Sequence, residues 1–194
     1  MISENDFLSG IKEKLSSKLV NRVQGFSMSR SLALCSLLTA QTNSGMTTEV
    51  FEAVRHFGLA GMQWASKLTE DYNVTINVTE SVQDYVENCV KSSTPTKCKV
   101  QIISEDPHVM LHSKRFSFIY IEADGSAVPY LSAAMRSITH GGTLCVSFSD
   151  IPALMGRCPE RVSKLYGAKL LKTEYIKELG SRVIIANLVR IASH

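Results

Sequence analysis

The stretch that most constrains the fold is Phe116-Ser-Phe-Ile-Tyr-Ile-Glu122-Ala-Asp124-Gly125, followed by Ser126-Ala-Val-Pro129-Tyr130. A short apolar run, rich in β-branched and aromatic residues, stops at two carboxylates and a glycine, and an amphipathic helical pattern follows. A strand covered on both faces reads as a continuous apolar run rather than an alternating one. In open α/β sheets the carboxyl ends of such strands hold the ligands. Any chemistry is therefore expected at Glu122 to Gly125.

The rest of the chain repeats this strand-then-helix rhythm. Helical spacing covers residues 4–21 and about 28–40, and Gln41 to Gly45 is a loop by composition. Residues 47–58 are ambiguous between strand and helix, and a helix entered through Gly58 and Gly61 follows. Val74–Asn77 is a strand, Glu80–Val90 a helix, Lys99–Ile103 a strand. Asp106-Pro107 opens a helical turn, since the N–H that proline lacks has no partner in a first turn. Phe116–Ile121 is the central strand, Val128–Thr139 a helix stopped by Gly141-Gly142, and Thr143–Phe148 a further buried strand. Pro159–Tyr166 and Lys172–His194 read as helices. The economical architecture is a parallel sheet with right-handed crossovers. Residues 1–45 are expected to form a helical segment and residues 46–194 the α/β domain. That domain is expected to be incomplete, because a sheet of about four strands followed only by a helix leaves an open edge.

Length, 194 residues, fits one domain with a full core. No apolar stretch is long enough to cross a bilayer, and the acidic start Met1-Ile-Ser-Glu-Asn-Asp is not that of a secretory signal. The Asn-Val-Thr sequons at Asn73 and Asn77 are then read as incidental. Five cysteines with no CxxC pair point to reduced thiols, hence nucleus or cytoplasm, and against a cysteine-based zinc site. No metal and no membrane partner is expected. The net charge of +3 permits a polyanionic partner without requiring one.

A series of segments, in order, resembles the tRNA (guanine(26)-N(2))-dimethyltransferase family, and especially its animal "like" branch. Phe116 to Ser126 stands where that family has a strand ending in Asp-Pro-Tyr/Phe-Gly. Gly141-Gly-Thr-Leu-Cys-Val-Ser-Phe-Ser-Asp150 is similar to its Gly-Gly-x-Leu-x-Val-Thr-x-Thr-Asp strand, and Tyr166-Gly through Glu178-Leu-Gly-Ser-Arg182 to its Tyr-Gly…Glu-x-x-x-Arg helix. Upstream, Val23-Gln-Gly-Phe-Ser-Met-Ser-Arg30-Ser-Leu resembles Gln-x-Phe-Asn-Arg-Asp-Leu. Phe57-Gly-Leu-Ala-Gly61-Met-Gln-Trp-Ala resembles the first cofactor motif, and Val74–Asn77 the second. The likeness covers most of residues 20–194.

This resemblance implies a class I S-adenosylmethionine (SAM) methyltransferase fold, Rossmann-like, truncated at its C-terminus. It implies SAM as cofactor, tRNA as partner, and methylation of the exocyclic amine of a guanine. That amine is a poor nucleophile, so a site needs acceptors for its N–H groups, a flat surface for the base and the methyl donor held in line. By the same resemblance Arg30, Gly58, Gly61, Asn77 and Asp106 contact the cofactor, and Glu122 and Asp124 occupy the reacting centre. The chain departs from the pattern there: Glu122 replaces Asp, Ala123 replaces Pro, and Asp124 replaces the aromatic ring. Val78 stands where the second cofactor motif has an acid, with Glu80 nearby, and Ser31 follows Arg30.

Each of these residues also has a structural reading. Gly58 and Gly61 serve equally as a helix-packing pair, Asn77 as a turn former, and Asp106 and Asp150 as helix caps. Glu122 and Asp124 would suit the start of the next helix. His56, His108, His112 and His140 have no ligand spacing with the cysteines. Lys97, Lys99, Lys114, Arg115, Arg157, Arg161 and Lys164 would line an RNA-facing surface or simply be solvated. Three functional readings stay open: a working tRNA guanine methyltransferase, a non-catalytic family member binding RNA or protein, and a fragment. RNA binding, where present, is expected to be weak and steeply salt-dependent.

Overall fold

The structure is a computed structural model that describes residues 9–10, 48–53, 61, 64, 67–69, 71–92, 97–123, 125–148, 150, 153–169 and 173–193. The helical segment expected over residues 1–45, and with it Arg30, lies outside these residues except for helical Ser9 and Gly10. Gly58 and Asp124 lie outside them too.

Five strands form one sheet: β1 (Thr48–Glu52), β2 (Tyr72–Asn77), β3 (Lys99–Ile103), β4 (Phe116–Ala123) and β5 (Ile138–Phe148). All pairings are parallel, in the order β3-β2-β1-β4-β5. The chain winds outward from β1 to β3, returns to set β4 against β1, and winds outward again to β5. A switch point therefore lies between β1 and β4, where crossovers leave in opposite directions and open a crevice. The ambiguous first half of residues 47–68 is a strand, and one buried on nearly every residue.

Alternation along the strands divides the core. Val50, Val74, Ile76, Phe118 and Tyr120 point to one face, against Trp64 and against Val82, Val86 and Cys89 of α1 (Glu80–Ser92). Phe51, Ile119 and Ile121 point to the other, with Leu111 of α2 (Pro107–Ser113) and Leu131 and Ala134 of α3 (Val128–Ser137). Phe51 and Phe116 stack across β1 and β4 with centroids 4.8 Å apart. A third cluster joins the π-helical turn Ala153–Arg157 to α4 (Pro159–Tyr166) and α5 (Ile176–Ala192) through Leu154, Val162, Tyr166 and Ile184.

One boundary differs from the pattern reading. The helix α3 stops at Ser137, and β5 begins at Ile138, so Thr139 to Gly142 are strand rather than helix end. Ile138 and Thr139 are β-branched and suit the strand. Gly141 takes a φ of 76°, and a Cβ on Gly142 would sit 2.8 Å from the Ser117 carbonyl oxygen. The glycine pair thus lets β5 run close along β4 through the register irregularity between Phe116 and Phe118. Similarly, α5 begins at Ile176 rather than at Lys172. No described helix is long and apolar enough to cross a membrane.

Candidate functional site

Because the strands are parallel, their carboxyl ends meet along one edge, and the chain loads that edge with polar groups. Glu52 ends β1, Asn77 ends β2, Glu105 and Asp106 follow β3, Glu122 stands next to last in β4, and Asp150 follows β5. Glu52 is fully buried. Its Oε2 accepts from the backbone N–H of Gly61, a helical residue that follows β1. A Cβ on Gly61 would collide with that carboxylate and with Ile76. The glycine is thus what allows helical backbone at this point to close on the sheet, a packing role that glycine plays in nucleotide-binding folds.

Asn77 is also fully buried. Its Nδ2 donates to the Glu105 carbonyl at 2.9 Å, and its Oδ1 accepts from the Glu105 N–H at 3.2 Å. The amide therefore clamps the loop after β3, helped by the Val78 N–H bond to the Ile103 carbonyl. That loop carries Asp106, which caps α2 by accepting from the His108 N–H at 2.9 Å. The capping reading of Asp106 is correct, and the cap presents the residue at the edge. Asn77 works at least as a clamp on the segment that holds Asp106.

Glu122 is half-buried on the same side of the sheet as Tyr120, whose hydroxyl donates to its Oε2 at 3.2 Å. The Tyr120 ring is in turn held edge-on by Trp64, with centroids 6.0 Å apart. An apolar wall behind a carboxylate, plus one directed hydrogen bond, fixes the side chain before any substrate arrives.

Beyond β4 and β5 lies a second polar group. Ser126 Oγ and Tyr166 Oη are 3.0 Å apart, Tyr166 donates to Asp150 at 3.4 Å, and Asp150 pairs with Arg161 Nε at 3.4 Å. Asp150 is buried while Arg161 is 53% exposed, so the pair anchors one end and leaves the guanidinium in solvent. Burial, more than any neighbour, raises the Tyr166 phenol above its ordinary value; the bond with Ser126 opposes the shift and Asp150 adds to it. Neutral Tyr166 is therefore the donor to Asp150.

The structure thus brings Gly61, Asn77, Asp106 and Glu122 to one edge. Sequence reasoning missed Glu52. Its signal was a lone acid closing the apolar Val50-Phe51 pair, in a segment whose strand character was undecided. The basic residues divide: Lys97, Lys114 and Arg115 precede β3 or β4 and Lys99 begins β3, all at the amino edge, while Arg157, Arg161 and Lys164 follow β5. Lys114 pairs with Glu49 at 2.6 Å. A cavity of about 580 Å³ lined by Val128, Arg136, Asn187 and Arg190 shares no residue with the edge. Among the described residues no group of three or more His, Cys, Asp or Glu side chains is arranged to hold a metal.

Sheet order, switch point and acid-lined carboxyl edge together define the class I SAM-dependent methyltransferase fold, Rossmann-like. Within that class the chain belongs to a particular family, N2,N2-dimethylguanosine tRNA methyltransferase, whose model matches residues 12–194. It is 29% identical over 188 residues to human tRNA (guanine(27)-N(2))-dimethyltransferase, covering 86% of this chain and 26% of that protein. It is 28% identical over 169 residues to tRNA (guanine(26)-N(2))-dimethyltransferase of Pyrobaculum islandicum, covering 86% of this chain and 47% of that protein. The structure of Trm1 from Pyrococcus horikoshii with S-adenosyl-L-methionine superposes with a TM-score of 0.73 at 19% identity, covering 99% of this chain and 49% of that one. A putative O-methyltransferase from Klebsiella pneumoniae gives 0.58 at 14% identity, over 94% of this chain and 76% of that one. The chain spans about a quarter of its mammalian relatives and about half of the archaeal ones.

Proposed function

We propose that this chain is a SAM-dependent tRNA guanine-N2 methyltransferase-type protein, with the cofactor at the carboxyl edge of β1 to β3 and the target amine at Glu122. The observation that carries the reading is convergence. Glu52, Asn77, Asp106 and Glu122 reach one edge on both sides of the β1/β4 switch point, in a chain that matches the family over nearly its whole length. An edge so rich in acids suits a ligand bearing a sulfonium and an amino group, and Gly61 lets the backbone after β1 close on Glu52 and Ile76. The Trm1 structure was solved with S-adenosyl-L-methionine, and the curated relatives are named for dimethylation of guanine in tRNA. Bound SAM supplies an electrophilic methyl group.

The protein's own part is positioning. Glu122, oriented by Tyr120, accepts the N–H of the exocyclic amine and takes the proton that the amine sheds when it is alkylated. Asp106 faces the cofactor, with Asn77 fixing its loop and the buried Glu52 carboxylate holding the Gly61 backbone. A guanine inside a duplex must be turned out of its stack to reach such a site. A second reading, a fold that binds without transferring, is favoured by Glu122-Ala-Asp124 itself. The glutamate is a methylene longer than aspartate, and a displacement of about 1 Å costs about 10²-fold in rate. Loss of the stacking ring removes about 1–3 kcal/mol.

Transfer of labelled methyl from SAM to unmodified tRNA separates the two readings. The chain alone is expected to transfer little or nothing. Glu122→Asp, Ala123→Pro and Asp124→Tyr together are expected to raise transfer if SAM binds. Robust turnover by the wild type would remove the non-transferring reading. A triple variant that binds SAM and tRNA yet stays inert would remove Glu122 from the reacting centre.

A further inference from the structure

We propose that Arg161 is an RNA-phosphate contact at the rim of this site, held ready by Asp150, and that it registers the nucleotide presented to Glu122. The proposal rests on the tRNA reading above and adds to it the residue that grips the backbone. Most basic residues that would have served as an RNA-facing surface stand at the amino edge, away from the strand ends. Lys114 there is tied to Glu49, and the Arg115 guanidinium donates to the Arg136 carbonyl. Arg161 is different on three counts.

First, it lies on the right side: it follows β5 and reaches back toward the turn after β4. A Cβ built on Gly125 would be 3.6 Å from an Arg161 terminal nitrogen, so the guanidinium stands beside that turn, three residues past Glu122. Second, it is pre-organised. Its Nε pairs with Asp150, which is 6% exposed and is itself held by Tyr166, and Tyr166 is held by Ser126 of the same turn. A guanidinium pinned at Nε keeps its terminal N–H donors for a second anion, and the planar fork suits phosphate. Third, its side chain is 53% exposed, so a phosphate can approach without displacing protein. Lys164, exposed and one turn further along α4, adds charge on the same helix. An arginine fixed on the β4 turn converts backbone affinity into placement of the base, because a phosphate held there sets the distance from backbone to Glu122.

The test uses the full chain and an unmodified tRNA transcript, with binding followed by fluorescence anisotropy from 50 to 300 mM salt. Arg161→Ala is expected to weaken binding about 5–10-fold near 0.1 M salt and to lower the slope of log K against log salt by roughly 0.7–0.9, the loss of one phosphate contact. Arg161→Lys is expected to recover the slope but not the full affinity. Lys99→Ala, which removes the same charge at the amino edge, is expected to leave the slope unchanged. SAM affinity by calorimetry is expected to be the same in all four proteins. The proposal falls if Arg161→Ala binds as the wild type does, if Lys99→Ala lowers the slope equally, or if Arg161→Ala loses SAM. A wild-type chain that captures no tRNA at 50 mM salt overturns the tRNA reading itself, a distinct outcome.

Discussion

Asn77 and Gly61 illustrate how single residues build this site without touching a substrate. Asn77 is buried with both amide atoms bonded to the Glu105 backbone. Replacing it by alanine removes two part-buried hydrogen bonds to the Glu105 backbone, each worth about 0.5–1.5 kcal/mol. The expected outcome is a fall of roughly 1–3 kcal/mol in the free energy of unfolding, read from a urea titration. Weaker SAM binding should accompany it, because the loop carrying Asp106 loses its clamp. At Gly61 a single methyl group would meet the Glu52 carboxylate and Ile76. Gly61→Ala should therefore cost about 1–3 kcal/mol, the usual penalty for overpacking, where an exposed helical position would gain from the change. Unchanged stability in Gly61→Ala would mean that the helical backbone at Gly61 is not pressed against the sheet. These residues were visible in the sequence as candidates, but their partners were not. Glu105 is 28 residues from Asn77, and no local pattern reports a pairing that only the parallel register of β2 and β3 creates.

Elements were more legible than partners. The strands β2, β3 and β4 and the helices α1, α2 and α4 follow from apolar runs, helical spacing and the Asp-Pro signal that opens α2, and α4 begins and ends at the residues the pattern marks. The boundary that differed and the segment left open both fell where two signals competed. At Ile138 to Gly142 a glycine pair looked like a helix stop but serves a strand, since its purpose is passage close to Ser117. At Thr48–Glu52 the short run carried too few residues to decide a period, and β1 is a strand because β2 and β4 pair with it on both sides. The link from α4 to the β4 turn gives a prediction at this scale. Tyr166→Phe keeps the buried ring but removes the hydroxyl shared by Ser126 and Asp150. Loss of that bond should lower stability by about 1 kcal/mol. In the Glu122→Asp, Ala123→Pro, Asp124→Tyr background it should also reduce methyl transfer by more than that stability change explains, as the turn bearing Gly125 loosens. Measurable transfer in that background that Tyr166→Phe leaves unchanged would separate α4 from the site.

At the scale of the whole molecule, the ionisable groups buried in the fold set its response to alkali. Burial is the leading cause that lifts the thiols of Cys89, Cys98 and Cys145 above 9.0 and the phenol of Tyr166 above 10.0. Above those values the unfolded chain has lost protons that the folded chain still holds, so stability declines as pH rises. Urea midpoints are expected to be insensitive to these four groups up to about pH 8 and to fall from about pH 9 upward. A midpoint that rises between pH 9 and 10.5 would contradict the burial of these groups. The fold as a whole, a parallel sheet that delivers acids to its carboxyl edge, is what makes the family's chemistry conceivable in this chain. Under the proposed assignment the departures at Glu122, Ala123 and Asp124 concern the methyl acceptor, while Glu52, Gly61, Asn77 and Asp106 stand on the cofactor side. Cofactor binding is accordingly the most direct test of the central claim. Calorimetric titration of the purified chain with SAM is predicted to give one site per chain, weakened at least tenfold in Asp106→Ala and little changed in Lys99→Ala. No heat of binding in the wild type, or binding that Asp106→Ala leaves intact, would contradict the assignment of the carboxyl edge as the cofactor site.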